Sequence, residues 1–418
     1  MGLMNDIDAA LETENAVTGG EPPKLEFRWS AQQNDFFRAI GEKARGNVVL
    51  RAGAGCGKTT TCLEGMRVFD GPCVYVAFNS DIAKASKARL ARAGIRNGDA
   101  RTTHSFGLSA IRKAFGRVDV DKEKGENIVR EIVLGSADAD PKPWERAHLA
   151  SLKKAFGFSR NHNAQTAEDV EDSIDEAGIE VPIGRGEFVQ QVLRAMEMSK
   201  ARPGTVDFDD MLWLPVALGI KPEQVDACVG DEIQDWNQVQ IALMFSAIRP
   251  GGRFFGVGDP LQAIYGFRGA AAGAFDTVVD LFGAEVMPLN VTYRCAKKIV
   301  AEANAVFPGA LQAADDADDG IVETVDANLV GKLARPGDAI LSRTNRPLIS
   351  LCLRFMREGK CATIAGRDIG KRLTDLVKKS RAGTATQLVD WIENWKTREV
   401  ERLEKRARPI DKVVDVAA

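Results

Sequence analysis

The chain has 418 residues, of which 44% are hydrophobic and 28% are charged, and its formal net charge of −3 gives it no overall attraction to nucleic acid. Such a composition is typical of a globular protein of about two to three domains, and no apolar run reaches the roughly 18 residues of a membrane-spanning helix. The acidic start does not resemble a secretory signal, and seven scattered cysteines without a C-x-x-C pair favour neither a disulfide framework nor a zinc module. We therefore expect a cytoplasmic protein without membrane contact.

The first elements in chain order are a tail and two buried strands. Residues 1–23 are acidic and polar, and we expect them to form a flexible tail. NVVL at 47–50 predicts a short strand, and TTTCLEGMRVF at 59–69 predicts a helix after a glycine-rich turn. CVYVAF at 73–78 predicts a second strand.

The middle of the chain has a different character. Residues from about 110 to 205 are charged and without an obvious strand, which predicts a helical insertion. Strand patterns return in VDACVGDE at 225–232 and RFFGVGD at 253–259. Short apolar runs that alternate with helices predict an α/β fold with a parallel sheet covered on both faces.

The last part of the chain predicts a second, smaller unit. DAILSRTN at 338–345 has the pattern of a strand, and an acidic loop precedes it at 313–320. Residues 397–414 predict a charged helix with a solvated surface. We expect a first domain at 24–295 and a partial second domain at 296–418.

The stretch RAGAGCGKTTT at 51–61 is close to the phosphate-binding pattern G-x-x-x-x-G-K-[ST], with Ala52 in place of the first glycine. Glycines let backbone N–H groups approach an anion at a helix N-terminus, while Lys58 offers charge and Thr59 a hydroxyl for Mg²⁺. Cys56 is expected to be a packing residue. A glycine-rich turn without a ligand is the alternative, and the strand before it and the helix after it favour a nucleotide. The expected nucleotide-binding residues of the loop are Ala52, Gly53, Ala54, Gly55, Cys56, Gly57, Lys58, Thr59 and Thr60.

The acidic stretch DEIQD at 231–235 follows a predicted strand. Asp231 is placed to hold Mg²⁺ through water, and Glu232 is placed to polarise the attacking water, as phosphoryl transfer requires. Acidic pairs are common at helix starts, so the preceding apolar run is what makes this pair a candidate site.

A third motif, GDPLQAIYGFRGA at 258–270, follows the last predicted strand. Gln262 is placed to sense a γ-phosphate at the carboxyl edge of the sheet. Tyr265 and Phe267, beside Arg268, suit base stacking and neutralisation of a single nucleic-acid strand. The alternative is an aromatic pair that fills a core.

Together and in this order, the motifs resemble those of the UvrD/Rep family of superfamily 1 DNA helicases over about 29–295, and more loosely over 339–373. The family's phosphate loop commonly reads A-x-A-G-x-G-K-T, which Ala52 to Thr59 match. WSAQQNDFF at 29–37 resembles the family's Q motif. The resemblance implies a RecA-like P-loop NTPase, ATP and Mg²⁺ as cofactors, and 3′→5′ movement on single-stranded DNA.

The resemblance also implies roles for residues that carry no strong signal alone. By it, Gln33 reads adenine, and Phe78 and His104 contact single-stranded DNA or its backbone. In LNVTYRC at 289–295, Tyr293 stacks on adenine and Arg294 acts as an arginine finger. Without the resemblance, His104 would be an ordinary turn residue and Thr-Tyr-Arg an unremarkable tripeptide.

Two motifs of the family are not found after residue 373. These are the T-x-H-x-x-K-G-type motif that grips DNA and the A-L-T-R-A-type motif that carries a second arginine. We therefore expect an incomplete second RecA-like domain, with nucleotide binding intact and turnover weak.

The leading hypothesis is an ATP-dependent DNA helicase or translocase that acts on single-stranded DNA or a single-strand/duplex junction in replication or repair, with doubtful unwinding by the isolated chain. One alternative is a non-motor DNA-binding protein that ATP switches. Another is one subunit of a split helicase, whose partner polypeptide supplies the missing motifs. A helicase–nuclease is disfavoured, because no acidic and lysine cluster of the nuclease type follows the motor region.

Overall fold

The computed structural model describes residues 29–42, 46–263, 273–364 and 378–406, without the side chains of 385, 386 and 399–406. The chain divides into two compact units. The first, called the sheet unit here, is Glu26–Val322, and the second, called the C-terminal unit, contains the residues from Glu323 onward. The predicted tail at 1–23 lies outside the described residues.

Parallel strands form the centre of the sheet unit. The strands are β1 Val48–Ala52, β2 Cys73–Ala77, β3 Gly98–Thr102, β4 Asp119–Val120, β5 Thr205–Val206, β6 Val225–Gly230, β7 Ile248–Gly258, β8 Glu285–Leu289, β9 Val291–Thr292 and β10 Gln312–Ala313. Six of them make one sheet in the order β3-β2-β6-β7-β1-β8, in which every pair is parallel. The pairs β4–β5 and β9–β10 are separate two-stranded sheets.

Helices of the sheet unit connect and cover these strands. They are α1 Ala31–Gly41, α2 Lys58–Gly65, α3 Ser80–Arg92, α4 Thr103–Phe115, α5 Lys124–Leu134, α6 Glu145–Asn161, α7 Ala167–Glu176, α8 Arg185–Lys200, α9 Phe208–Ala217, α10 Gln238–Ala247, α11 Ala274–Phe282 and α12 Lys297–Val306. Single 3₁₀ turns occur at Met66–Val68, Ile233–Asp235 and Pro260–Gln262.

The sheet is buried on both faces because successive side chains of each strand point to opposite sides. In β1, Val48 and Leu50 belong to the core formed with α1 and α2, whereas Val49 belongs to the core on the other face. In β2, Tyr75 and Val76 divide in the same way. Helices therefore cover both faces of the sheet, and the packed sheet supports the loops at its edges.

The parallel α/β sheet and its helical insertion agree with the sequence prediction. The four predicted strands at 47–50, 73–78, 225–232 and 253–259 correspond to β1, β2, β6 and β7. The insertion contains α5 to α8 and also the short pair β4–β5, in which Asp119 faces Thr205. This pair and the edge strand β8 were missed, since two-residue strands and the proline-containing EVMPL give little periodic signal.

The C-terminal unit is helical in its described part, with α13 Val330–Leu333, α14 Asn345–Arg357 and α15 Ala385–Arg406 after a 3₁₀ turn at Ala327–Leu329. The predicted strand at 338–345 is wrong. Residues 338–344 have no strand conformation, α14 begins at Asn345, and Leu341 is 92% exposed. A strand needs a neighbour to bond its backbone, and no strand occurs among the described residues of this unit.

The helix α15 begins before the predicted charged segment at 397–414, and residues 407–414 lie outside the described part of the chain. Within α15, Trp391 and Trp395 stack one turn apart with ring centroids separated by 6.3 Å. Among the helices that the structure describes, none is both long enough and apolar enough to cross a membrane.

An ion cluster lies buried inside the insertion. Arg160 of α6 bonds Asp207 and Asp210 at 2.9 and 2.7 Å, and Lys124 of α5 lies 2.6 Å from Asp210. Ser199 of α8 donates a hydrogen bond to the same carboxylate at 2.8 Å. Arg160 is 3% exposed and Asp210 is fully buried, so each charge depends on its partners for stabilisation. The cluster therefore ties α5, α6 and α8 to the start of α9.

We expect Arg160→Met to lower the free energy of unfolding by about 3–5 kcal/mol, because it leaves buried carboxylates without a counter-charge. The matched control is Lys153→Met, which breaks an exposed ion pair with Glu126 on the same two helices. The control should cost less than about 1 kcal/mol. Urea unfolding of both variants measures the difference, and equal losses would contradict the assignment of the cluster as a stabilising element.

Candidate active site

The carboxyl ends of the parallel strands bring the predicted motifs to one edge of the sheet. Arg51, just before the glycine-rich loop, pairs with Gly258, which precedes Asp259. Val76 pairs with Gly230, which precedes the acidic pair at 231 and 232. Ligands of open α/β sheets bind outside this edge. The phosphate loop, the acidic pair and the Asp259 turn are thus neighbours.

The glycine-rich loop has the backbone conformation that its glycines permit. Gly55 has a φ of 75° and Gly57 a φ of 78°, both in the left-handed region. The helix α2 begins at Lys58, directly after Gly57, and no side chain caps its first N–H groups. Uncapped N–H groups at a helix N-terminus, next to a lysine, suit a phosphate group.

The stretch LNVTYRC lies against this loop within the sheet unit. The backbone N–H of Tyr293 donates to the Gly55 carbonyl at 3.1 Å. A Cβ placed on Gly55 would lie 2.6 Å from the Cβ of Arg294 and 2.7 Å from the hydroxyl of Thr292. Tyr293 itself is 54% exposed. The structure therefore brings the candidate residues Tyr293 and Arg294 beside the phosphate loop, and only glycine fits at position 55.

Lys58 and Glu232 form an ion pair, with Nζ 3.0 Å from Oε2. The same carboxylate oxygen accepts a hydrogen bond from the side-chain amide of Gln234 at 2.8 Å. Glu232 has a φ of 47°, which is left-handed for a residue that is not glycine. Such a conformation costs of the order of 1 kcal/mol and is concentrated at functional sites. The chain thus holds a strained carboxylate at the position predicted to polarise water.

Asp231 is 3% exposed and accepts a hydrogen bond from the hydroxyl of Tyr75 in β2. Burial raises the pKa of Asp231 to about 6, partly offset by the Tyr75 hydrogen bond. Burial and the nearby Asp231 charge raise the pKa of Tyr75, while a hydrogen bond with Thr59 lowers it. The Tyr75 hydroxyl thus bonds Asp231, one of the two predicted Mg²⁺ ligands, and the pKa of Tyr75 also responds to Thr59, the other. A buried carboxylate with a raised pKa is stabilised by a cation, so the two residues fit a metal ion here.

Gln33 is buried against the loop rather than open to it. Its side-chain oxygen accepts from the Ser30 N–H at 2.9 Å and closes a capping box on α1. Its amide nitrogen donates to Thr61 at 2.7 Å, and a Cβ on Gly57 would lie 3.3 Å from that nitrogen. Gln33 therefore bonds α1 to α2 directly behind the phosphate loop.

The turn after β7 is built on Asp259. Its carboxylate accepts from the side-chain amide of Gln262 at 2.6 Å and from the N–H of Leu261 at 3.0 Å. Its backbone N–H donates to the side-chain oxygen of Gln234 at 3.0 Å. The predicted γ-phosphate sensor Gln262 is thus linked, through Asp259 and Gln234, to Glu232.

A second part of the same edge lies at the ends of β2 and β3. Phe78 follows Ala77, which pairs with Thr102, and Phe78 is 41% exposed. His104 lies two residues after Thr102, with its ring centroid 6.2 Å from that of Phe208, which is 50% exposed. Burial lowers the pKa of His104, and the nearby Asp209 carboxylate partly offsets this shift.

Four further candidate residues remain to be placed. Tyr265, Phe267 and Arg268 lie outside the described residues. Cys56 is fully buried, and burial raises the pKa of its thiol to about 11, which agrees with a packing role. Among the described residues, no group of three or more His, Cys, Asp and Glu side chains is arranged to hold a metal ion.

Several residues of this edge were missed by sequence reasoning. Tyr75 had been assigned only to a buried strand, and Gln234 and Asp259 lay inside quoted motifs without a role. Phe208 begins a helix whose preceding Asp207 is its N-cap. Sequence pattern alone does not identify these four residues, because each contacts a partner that is distant in sequence.

The six-stranded parallel sheet has a left-handed glycine loop after β1 and, after β6, an acidic residue paired with the loop lysine. These features are those of the P-loop fold. The sequence profile of the UvrD/REP helicase N-terminal domain matches residues 33–282, which is more than half of the chain. The chain belongs to the UvrD/REP helicase family.

Three relatives illustrate the range of the similarity. DNA helicase II of Salmonella typhimurium is 33% identical over 303 residues, which cover 66% of this chain and 40% of that protein. The ATP-dependent DNA helicase PcrA of Leuconostoc citreum is 25% identical over 298 residues, 64% of this chain and 38% of that protein. The RecBCD enzyme subunit RecB of Mycolicibacterium smegmatis is 27% identical over 260 residues, 56% of this chain and 23% of that protein. The match thus spans less than half the length of each of these relatives.

We expect Asp231→Asn to raise the free energy of unfolding by about 1–3 kcal/mol at pH 7.5, because ionising the buried carboxyl disfavours the folded state. The folded pKa of about 6 lies above the value of 3.8 expected for an exposed aspartate, so this cost is full above pH 6 and absent below about pH 4. The gain should therefore shrink as the pH falls from 7 to 4, which urea unfolding at several pH values measures.

The control is Asp235→Asn, whose carboxyl has a pKa also raised to about 6, chiefly by burial. It should gain stability in the same pH range and keep Mg²⁺-dependent nucleotide binding, which Asp231→Asn should lose. A pH-independent effect of Asp231→Asn would contradict the raised pKa.

We expect Gly55→Ala to weaken nucleotide binding by about tenfold or more, because the added Cβ would displace the loop from its neighbours. A loss of about 1.4 kcal/mol in binding free energy corresponds to a tenfold weaker affinity. Gly94→Ala is the control, because Gly94 has a φ of 70° and nothing within 4 Å of an added Cβ. Both variants carry the same backbone strain, and only Gly55→Ala meets Thr292 and Arg294. Calorimetric titration with a nucleotide separates them, and equal affinities would show that the contact is unimportant.

Proposed function

We propose that this chain binds ATP with Mg²⁺ at the carboxyl edge of its sheet and hydrolyses it in response to single-stranded DNA, as a motor of helicase type. The observation that carries the proposal is the ion pair between Lys58 and Glu232 beside an uncapped helix N-terminus. The lysine and the carboxylate are the charge and the base that phosphoryl transfer needs, and they already lie in contact.

Phosphate binding separates this pair. The phosphates of ATP accept hydrogen bonds from the loop and from the start of α2, and they attract Lys58 away from Glu232. The released carboxylate orients a water molecule and accepts its proton as the water oxygen bonds to the γ-phosphorus and the bond to the β-phosphate breaks. We assign the metal to Thr59 and Asp231. Mg²⁺, when bound, supplies charge neutralisation of the phosphate oxygens.

The remaining roles follow the family. We assign Gln262 to the γ-phosphate and Arg294 to the transition-state charge, and their positions beside the loop or its neighbouring turn support this assignment. We assign Tyr293 and Gln33 to the adenine side. Gln33 bonds Thr61 in the described state, so its part includes holding α2 in place.

We place the DNA strand across the ends of β2 and β3. Phe78, Phe208 and the His104 ring beside it offer aromatic surface, and Lys122 lies 5.8 Å from the Phe208 ring. Exposed aromatic rings beside a cation suit stacked bases with a charged backbone. Tyr265, Phe267 and Arg268 belong to the same proposal by sequence, and 3′→5′ polarity rests on the family alone.

We expect single-stranded DNA to stimulate ATP hydrolysis, and both Lys58→Ala and Arg294→Ala to abolish the stimulated turnover. Loss of an arginine finger alone lowers such rates by about 10³–10⁵. The measurement is phosphate release with and without a poly(dT) oligonucleotide, with Arg346→Ala as a control arginine in the C-terminal unit. Nucleotide binding without hydrolysis in the wild-type chain would favour an ATP-switched DNA-binding protein instead.

A second candidate is supported by the name of one group of relatives. Several are called subunits of the RecBCD enzyme, which favours a chain that works together with other polypeptides. The test is to purify the chain from its own cells and compare its DNA-stimulated turnover with that of the isolated chain. A stable complex with higher turnover would support the subunit role.

A further inference from the structure

We propose that Gln32 and Asn290 form a hydrogen-bonded pair, called the amide latch here, that positions Arg294 beside the phosphate loop. The inference rests on the proposed function, since Arg294 is assigned there to the transition-state charge. Sequence reasoning gave neither member of the latch a role. Both are positioning residues, because they act through the backbone that carries the arginine.

The amide latch consists of two hydrogen bonds. The side-chain oxygen of Gln32 accepts the backbone N–H of Asn290 at 2.9 Å. The side-chain nitrogen of Gln32 donates to Oδ1 of Asn290 at 2.7 Å. The two residues are 258 positions apart in the sequence, and both are partly buried. The backbone N–H fixes which end of the Gln32 amide faces it, because this group can only donate.

Asn290 is the joint between two sheets. It is the single residue between β8, the edge strand of the six-stranded sheet, and β9, which forms the small sheet with β10. Its carbonyl accepts the backbone N–H of Gln312, the first residue of β10, at 2.8 Å. Asn290 is thus bonded to α1 through the latch and to β10 through its carbonyl. These bonds set the direction in which the chain leaves the six-stranded sheet.

The phosphate loop contacts the chain on both sides of this joint. Before it, the carbonyl of Leu289 accepts the N–H of Gly53 at 3.0 Å. After it, the N–H of Tyr293 donates to the carbonyl of Gly55 at 3.1 Å. A Cβ on Gly55 would lie 2.6 Å from the Cβ of Arg294. A change of backbone direction at the joint therefore moves the arginine relative to the loop.

The side chain of Arg294 is exposed, so its placement depends chiefly on the backbone that carries it. An arginine finger acts on charge that develops in the transition state, and a displacement of about 1 Å can cost about 10²-fold in rate. ADP lacks the γ-phosphate on which this arginine is proposed to act. The amide latch should therefore affect the transition state far more than the binding of ADP.

The experiment uses the ability of one carboxylate, but not two, to replace an amide of the latch. In Gln32→Glu, the new carboxylate still accepts the N–H of Asn290, and the Asn290 amide can turn its nitrogen toward the other oxygen. In Asn290→Asp, the new carboxylate still accepts from the Gln32 nitrogen. The double variant Gln32→Glu/Asn290→Asp places two carboxylates opposite each other and breaks the latch.

We expect each single variant of the full chain to keep DNA-stimulated kcat within about threefold of the wild type, and the double variant to lose about 10²-fold. Gln32→Leu, which removes both bonds without adding charge, should behave as the double variant does. The measurement is phosphate release with a poly(dT) oligonucleotide. A large loss in the double variant that the single variants do not add up to is the signature of a direct pair.

Nucleotide affinity separates this positioning role from a general loss of structure. MgADP with aluminium fluoride imitates the transferring phosphoryl group, and the double variant should bind it about tenfold or more weakly. Its affinity for MgADP alone should stay within about twofold of the wild-type value. In an Arg294→Ala background, breaking the latch should change neither affinity further, because the latch acts through that arginine.

The matched control is Asn163→Asp/Gln165→Glu in the insertion. There the side-chain nitrogen of Gln165 donates to Oδ1 of Asn163 at 3.0 Å. The same two types of substitution thus place two carboxylates at another amide pair. The control should keep the wild-type kcat and both wild-type nucleotide affinities.

Wild-type kcat and wild-type affinity for the aluminium fluoride complex in the double variant would overturn the inference while the proposed function stands. Equal losses of affinity for MgADP with and without aluminium fluoride would also overturn it. A wild-type chain without DNA-stimulated turnover, and without tighter binding of MgADP when aluminium fluoride is present, would overturn the proposed function and this inference with it.

Hydrogen exchange on the wild type decides if neither the double variant nor Gln32→Leu folds. The backbone amide of Asn290 must then be more protected with MgADP and aluminium fluoride than with MgADP alone. Equal protection in the two states would overturn the inference.

Discussion

Parallel pairing of the six central strands is the constraint on which the candidate site depends. It places the carboxyl ends of β1, β6 and β7 side by side, with Arg51 opposite Gly258 and Val76 opposite Gly230. Residues separated by about 200 positions in the sequence thereby become neighbours at one edge of the sheet. Because both faces of the sheet are packed, this edge is rigid, and the polar side chains there have fixed neighbours before any ligand arrives.

Two acidic residues at this edge lower the stability of the ligand-free protein. Asp231 is buried with its pKa raised to about 6, and Glu232 has a left-handed backbone. A cation would stabilise the first, and the turn of the chain that strains the second directs its carboxylate toward Lys58. Both residues thus reduce the free energy of unfolding, and binding of a ligand would offset this loss. Such destabilisation is common at functional sites.

The places of some candidate residues in the fold could be predicted from local pattern alone. Lys58, Thr59 and Asp231 follow short apolar runs that form buried strands, and the loop conformation requires the glycines that are present. Tyr75 and Gln234 could not be assigned in this way, because each acts on a residue brought close only by the sheet.

The same distinction accounts for the errors in the fold. The strand expected at 338–345 has a suitable composition, yet a strand exists only where a neighbour bonds it, and Leu341 remains 92% exposed. The edge strand β8 has an unsuitable composition with a proline, yet β1 pairs with it over five residues. Pairing partners decide both cases, and a linear pattern does not contain them.

The shared core of the sheet unit has a consequence for how the insertion behaves. Val49 of the central strand β1 and Phe156 of the inserted helix α6 belong to one continuous hydrophobic cluster. Segments that share a core unfold together rather than one by one. The insertion is therefore not a detachable module, and the helices that interrupt the fold in sequence are part of a single cooperative folding unit with the strands they interrupt.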